Sequence, residues 1–153
     1  MMEGEPKTKP RIVGMTDWQT LVYPDGTVGT TMLDVEEVGA IGLFFVEPGQ
    51  ETTVFSLEDE DDGTADEWYG PVHNCYYILV GEFTLWWGKD ASKLRSKNAE
   101  KLMIKEGECS YHPPGWKYLV KNTGKVPGTF LWGLSAAPKD TKPRYLEPTR
   151  EVK

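Results

Sequence analysis

Sixteen glycines and eleven prolines cut this chain into short pieces. They recur in "YPDGTVG", "EPGQ", "DDGTAD", "YGP", "WGKD", "KEGE", "HPPG" and "NTGKVPG". Glycine permits positive φ and proline fixes φ near about −65°, so each cluster marks a turn. The pieces between are rich in Val, Ile, Tyr, Phe, Trp and Thr, which suit a pleated surface. No stretch carries an apolar stripe over three helical turns, and "ASKLRSKNAEK" has room for one helical turn. Short strands at regular spacing predict an all-β sandwich or barrel. At 153 residues, 39% hydrophobic and 27% charged, the chain suits one domain around one core.

Alternation sets the phase of the strands. In "WKYLVK", Lys117, Leu119 and Lys121 share one face, and Trp116, Tyr118 and Val120 share the other. Two lysines prefer water, so Tyr118 is expected to point inward. "HNCYYILVGEFTLWWG" reads as two strands meeting at Gly81. Asn74, Tyr76, Ile78 and Val80 lie on one face of the first; His73, Cys75, Tyr77 and Leu79 lie on the other. Cys75 and Cys109 form no C-x-x-C pair and no zinc spacing, and are read as buried free thiols within strands. "AIGLFFV" is apolar on both faces, which predicts cover from a second sheet and from a partner in a homodimer. A tail of the same chain is the competing cover. "TFLWGLSAAP" is the expected last strand, before a C-terminal tail over residues 138–153.

A net charge of −7 leaves no basic face for nucleic acid. No apolar run is long enough to span a bilayer, so no membrane partner is expected. "MMEGEPKTKP" lacks the apolar core of a signal peptide. Residues 1–10 are therefore read as a flexible N-terminal arm and the protein as cytoplasmic. Much of the acidic excess lies in "EDEDDGTADE", residues 58–67. A basic cluster follows at Lys89, Lys93, Arg95, Lys97 and Lys101, and both are read as solvated. The acidic run fails as a calcium loop. With Gly63 at the sixth position, Tyr69 falls at the twelfth, where a carboxylate is needed.

"GECSYHPPGWKYLVKN" places Gly107, Pro113, Gly115 and Asn122 on the fixed positions of G-x5-P-x-G-x2-H-x3-N. Gly81 closes a second pattern, G-x5-H-x-H-x3–4-E-x6-G, with Asn74 in place of its glutamate. Through these two motifs the chain resembles the cupin superfamily over about residues 40–135. The resemblance implies a jelly-roll β-barrel, placed here over residues 11–137. It also implies a metal-binding histidine pointing inward from the strand after "PPG"; Tyr118 stands there instead. The window for the histidine pair after "VEPG", "TTVFSL", holds no histidine, and an alternative alignment puts Glu67 and Tyr69 there. Under either alignment every usual ligand is replaced. The resemblance also places the acidic run near the barrel mouth, where a lid would sit.

Three histidines and a carboxylate make the typical metal site of such a barrel. The expectation here is no metal cofactor. The alternative is a divalent transition metal on His73, His112 and Glu67, although alternation sets His73 opposite Asn74. Without metal, Asn74, Tyr76, Trp116 and Tyr118, with Ser56 and Trp86 beside them, offer flat apolar surface and a few hydrogen-bonding groups. That is the makeup of a small-molecule site, and equally of a barrel core. Tyr118 is the candidate general acid, as in metal-free epimerase-type cupins, given a neighbouring charge that lowers its pKa. Asn74 is the expected partner of its hydroxyl. The functional expectation is a barrel binding a small organic ligand, with metal-independent isomerase or lyase chemistry. A metal-dependent, dioxygenase-like enzyme and a non-catalytic binding or regulatory barrel stay open as alternatives.

Overall fold

The computed structural model describes residues 9–152. Most of the arm read over residues 1–10 therefore lies outside the described residues. The chain runs β1 (Gln19–Val22), β2 (Val28–Val35), β3 (Gly39–Val46), β4 (Phe55–Ser56), β5 (Glu67–Trp68), β6 (Asn74–Val80) and β7 (Glu82–Gly88). One short helix follows, α1 (Ala91–Arg95). Then come β8 (Glu100–Lys105), β9 (Cys109–His112), β10 (Lys117–Asn122), β11 (Gly128–Ser135) and β12 (Arg150–Glu151). A seven-stranded sheet has the order β12–β1–β2–β3–β11–β6–β9, and a five-stranded sheet β5–β4–β10–β7–β8. All neighbours pair antiparallel except β4 and β5. The expected all-β jelly roll is the fold observed. Among the described residues no helix is long and apolar enough to cross a membrane.

The two sheets enclose one core, in which Phe83, Leu85, Ile104 and Val120 from one side meet Val46, Tyr76, Ile78 and Phe130 from the other. The β6–β7 hairpin turns at Gly81, whose φ is 95°. A Cβ there would also lie 3.1 Å from the Gly128 Cα, so the turn needs glycine twice over. The five-stranded sheet is covered on its outer side as well. Asp90 caps α1, accepting from the Ser92 amide at 2.9 Å, and Ala91 and Leu94 pack onto Trp86 and Leu119. Trp86 therefore lies outside the barrel, not among the inward set.

This double cover overturns the reading of Lys117. Its side chain is 0% exposed. The acidic segment folds back from β4 across the outer flank of β10 and replaces water. The Lys117 ammonium donates to the Glu58 carboxylate, to Asp62 Oδ2 at 2.7 Å and to the Lys89 carbonyl at 3.0 Å. Burial pushes the ammonium pKa down, and the hydrogen-bonded Asp62 and Glu58 carboxylates more than offset that. Ser56 pairs in register with Lys117 and hydrogen-bonds Glu58, so it too faces outward. The segment is thus a clamp on the flank, not a wholly solvated loop.

Among the described residues no such cover lies on the seven-stranded sheet. Cys75 and Cys109 sit on the outward face of β6 and β9 and are exposed free thiols, against the expectation of burial. The C-terminal segment does more than trail away. It crosses both sheets, pairing Arg144 with Trp68 and then β12 with β1.

Candidate functional site

Aromatic rings pack against one another between the sheets. Tyr118 from β10 lies 5.6 Å from Phe55 and 5.5 Å from His112, centre to centre. Tyr76 from β6 lies 4.4 Å from His112 and 4.1 Å from Phe130. Tyr69 packs on Phe55 at 5.9 Å and meets Tyr145 at 5.8 Å. Of the four expected ligand-binding residues, Asn74, Tyr76 and Tyr118 share this interior. Trp116 stands at the rim, edge to face with Trp87 at 5.0 Å.

Asn74 and His112 are register partners on β6 and β9 and form the polar wall. The Asn74 amide donates to the Gly133 carbonyl at 2.9 Å, which makes its Oδ1 the acceptor toward His112 Nδ1 at 2.6 Å. His112 therefore carries its proton on Nδ1, and Nε2 accepts from the Ser110 hydroxyl at 2.8 Å. Burial pushes its pKa down to about 3, so the ring is neutral. With both ends of Asn74 engaged, Tyr118 finds another partner. Its hydroxyl donates to the Pro113 carbonyl at 2.5 Å, so the expected Tyr118–Asn74 bond is not made. The "PPG" turn brings that carbonyl back over the ring. Burial, then Tyr111, push the Tyr118 pKa up, and no neighbouring charge lowers it.

The acidic group of this interior is Glu67. It lies in β5, pairs in register with Phe55, and is buried. The Tyr69 hydroxyl donates to its carboxylate. Burial raises the Glu67 pKa, the Tyr69 bond opposes this, and the charge of Asp25 adds to it. The carboxylate in turn raises neighbouring phenols: burial and then Glu67 push Tyr23 up to about 12, and Tyr145 is raised by burial, Asp34 and Glu67. Tyr76 rises for the same two leading reasons as Tyr23. Its hydroxyl has no hydrogen-bond partner among the described residues. Sequence reasoning missed Tyr23 and Tyr145. One comes from the β1–β2 hairpin and the other from the C-terminal segment, and neither position belongs to either motif.

The C-terminal segment closes over Glu67. Trp68 and Arg144 exchange backbone hydrogen bonds of 2.9 and 2.8 Å. The Arg144 guanidinium grips Asp61 at 2.8 and 3.0 Å and the Ala65 carbonyl at 2.8 Å.

The motif resemblance implies a metal, and these residues do not fit one. The fallback set falls apart: His112 faces inward, whereas His73 is exposed on the outer face with Nδ1 2.7 Å from the Tyr111 hydroxyl. Among the described residues no three His, Cys, Asp or Glu side chains cluster. The motif positions supply one carboxylate, one amide and two phenols whose raised pKa keeps them protonated, and Asn74 and Tyr118 are already hydrogen-bonded. A transition metal requires deprotonated oxygen or sulfur, or imidazole.

No protein-family model matches the sequence, and no curated protein matches it. Solved structures do match in shape. The Schizosaccharomyces pombe Cnp3 cupin domain superimposes with a TM-score of 0.55 at 17% identity, covering 72% of this chain and 64% of that one. A predicted oxalate decarboxylase from Thermotoga maritima gives 0.58 at 17%, covering 82% and 99%. A conserved Klebsiella pneumoniae protein with a double-stranded β-helix domain gives 0.57 at 17%, covering 91% and 99%. The chain spans about two thirds of the first and nearly all of the other two. The likeness is one of fold: this chain has the cupin fold.

Proposed function

We propose that this cupin-type barrel takes a small organic ligand at the Glu67–Tyr69 end of its aromatic interior and acts on it without a metal, as an isomerase or lyase. The observation that carries the reading is Glu67. It is a carboxylate shut in among phenols, raised in pKa by burial, with no basic group among the described residues hydrogen-bonded to it. Such a carboxyl holds its proton closer to neutral pH. It can give that proton to a ligand oxygen as general acid and, as the carboxylate so formed, take a proton from the neighbouring carbon, as isomerisation and elimination require. Tyr69 holds Glu67 and Tyr118 is held by the Pro113 carbonyl, so the Tyr76 hydroxyl, unpartnered among the described residues, is the donor left for a ligand, and the neutral Asn74–His112 pair holds the wall. The favoured ligand is neutral and bears carbonyl or hydroxyl groups, since an anion would face Glu67 while the nearby Arg144 guanidinium is already taken by Asp61.

The test is a thermal-shift screen of chelator-treated protein against neutral hydroxyketones and sugars, followed by turnover of the hits by NMR. Hits should bind and turn over without added metal, and E67Q should abolish turnover. Binding that appears only on adding iron, manganese or zinc would favour the metal-dependent alternative, and unchanged turnover in E67Q would remove Glu67 from the chemistry.

We also propose a homodimer joined through the outer face of the seven-stranded sheet. The outward residues Leu43, Phe45, Tyr77, Leu79 and Leu131 are uncharged in a chain whose residues are 27% charged. Phe45, Tyr77 and Leu79 are 38%, 40% and 40% exposed. A neutral apolar face lets two chains of net charge −7 meet without stacking like charges.

A further inference from the structure

Residues 136–149 join β11 to β12 with no strand or helix among them. The segment is tethered at both ends. The Ala136 amide donates to the Val38 carbonyl at 3.0 Å, and the Thr149 amide to the Val22 carbonyl at 2.6 Å. Between these tethers, among the described residues, its backbone bonds to the barrel's backbone only through the Trp68–Arg144 pair. Lys139, Asp140, Lys142, Tyr145 and Glu147 are exposed, so the segment lies on the surface and not in the core.

The Arg144 side chain holds the middle. Its guanidinium takes both oxygens of Asp61, the Ala65 carbonyl at 2.8 Å and the Asp66 carbonyl at 3.0 Å. These charge-assisted bonds are strong for a surface contact. The ion pair still meets water on both sides, with Arg144 41% and Asp61 25% exposed. The neighbouring Asp62 turns the other way, to Lys117, so the acidic segment keeps its own clamp when Arg144 lets go. A surface segment held by one polar latch opens locally at less than the cost of global unfolding.

Behind the latch lies Glu67, only 9% exposed, so a ligand reaches it only when something moves. Three parts of the segment cover it. The Arg144 backbone pairs with Trp68, the residue after Glu67 in β5. The Tyr145 ring lies 5.8 Å from that of Tyr69, whose hydroxyl holds the carboxylate. The Leu146 amide faces the Glu67 carboxylate and opposes the rise in its pKa. We infer that residues 136–149 form a gate, latched by Arg144, that lifts on its two tethers to admit a ligand to Glu67. In the closed gate the Leu146 amide faces the acceptor that a ligand hydroxyl takes in the open one. The gate's role rests on Glu67 meeting a ligand, as proposed above; its opening is read without one, so the two fail separately.

The test compares the full chain with its R144Q, D61N and E67Q variants by hydrogen exchange, and the first three by labelling with a water-soluble carbodiimide and glycinamide, both read by mass spectrometry. R144Q should speed exchange across residues 141–149 at least tenfold and labelling of Glu67 at least tenfold, with exchange in β10 unchanged. D61N leaves Arg144 its two carbonyls and should act in the same direction, by less. Glu36 and Glu37, exposed in the β2–β3 turn, should label equally in all three. E67Q should exchange across residues 141–149 as slowly as wild type, since Arg144 still latches them. If R144Q behaves so and no hydroxyketone or sugar binds it, the gate stands and the ligand reading falls. Four results would overturn the gate: unchanged exchange in R144Q, faster exchange with Glu67 still unlabelled, a rise in labelling matched by faster exchange in β10, or fast exchange in E67Q.

Discussion

His112 and Lys117 show how far a residue's chemistry is set by what the fold brings to it. His112 ends β9 beside a proline and reads from the sequence as a fallback metal ligand. Here it is buried and neutral, because register against β6 sets it on Asn74. Its pKa lies near 3 in the fold, against 6.5 ordinarily. The unfolded chain therefore takes up a proton that the native chain refuses. The stability His112 contributes is full above about pH 6.5 and drains as the pH falls toward 3, at up to about 1.4 kcal/mol per pH unit. Thermal unfolding from pH 7 to pH 4 should show wild type weakening from about pH 6, and H112Q holding level until the carboxylates titrate. Parallel profiles would mean that His112 is solvated. For Tyr118, alternation alone gave the inward direction. For Lys117 it did not settle the environment, since the carboxylates that clamp it stand 59 and 55 residues away in sequence.

At the scale of elements, β10 is the strand on which the barrel depends, buried on both faces from Lys117 to Val120. Its inner face was legible from period-two patterning. Its outer face was not, because the cover comes from α1, five residues long, and from a loop whose composition reads as solvent-facing. The clamp makes an asymmetric prediction. E58Q/D62N strands a covered ammonium and should cost about 3 kcal/mol in denaturant unfolding. K117M should cost less, because Asp62 is half exposed and Glu58 keeps Lys89 and the Ser56 hydroxyl as partners. Equal costs would show that the ammonium reaches water. The acid site follows the same logic. Glu67 and Tyr69 were reachable from the spacing back from Gly81, whereas Tyr23 and Tyr145 arrive on a hairpin and a C-terminal crossing that no local pattern announces.

For the whole molecule, the two sheets differ in what covers them. One is sealed by α1 and the acidic clamp, and the other presents Phe45, Tyr77 and Leu79 to solvent. Sedimentation at micromolar concentration should give twice the 17.3 kDa chain mass, and Y77E/L79E should give the monomer with its fold intact. A monomeric wild type would end the dimer proposal. The central claim is that the barrel holds one carboxyl whose charged form the fold disfavours. A raised folded pKa means that stability is full below the ordinary glutamate range, about pH 4.3, and is lost as the pH rises through the higher folded value. The most direct test is the Tm of wild type and E67Q compared from pH 4 to pH 9. E67Q should gain on wild type as the pH rises from about 4, and the difference should then stay constant. A difference that stays flat across the range, or one that favours wild type more with rising pH, would contradict it.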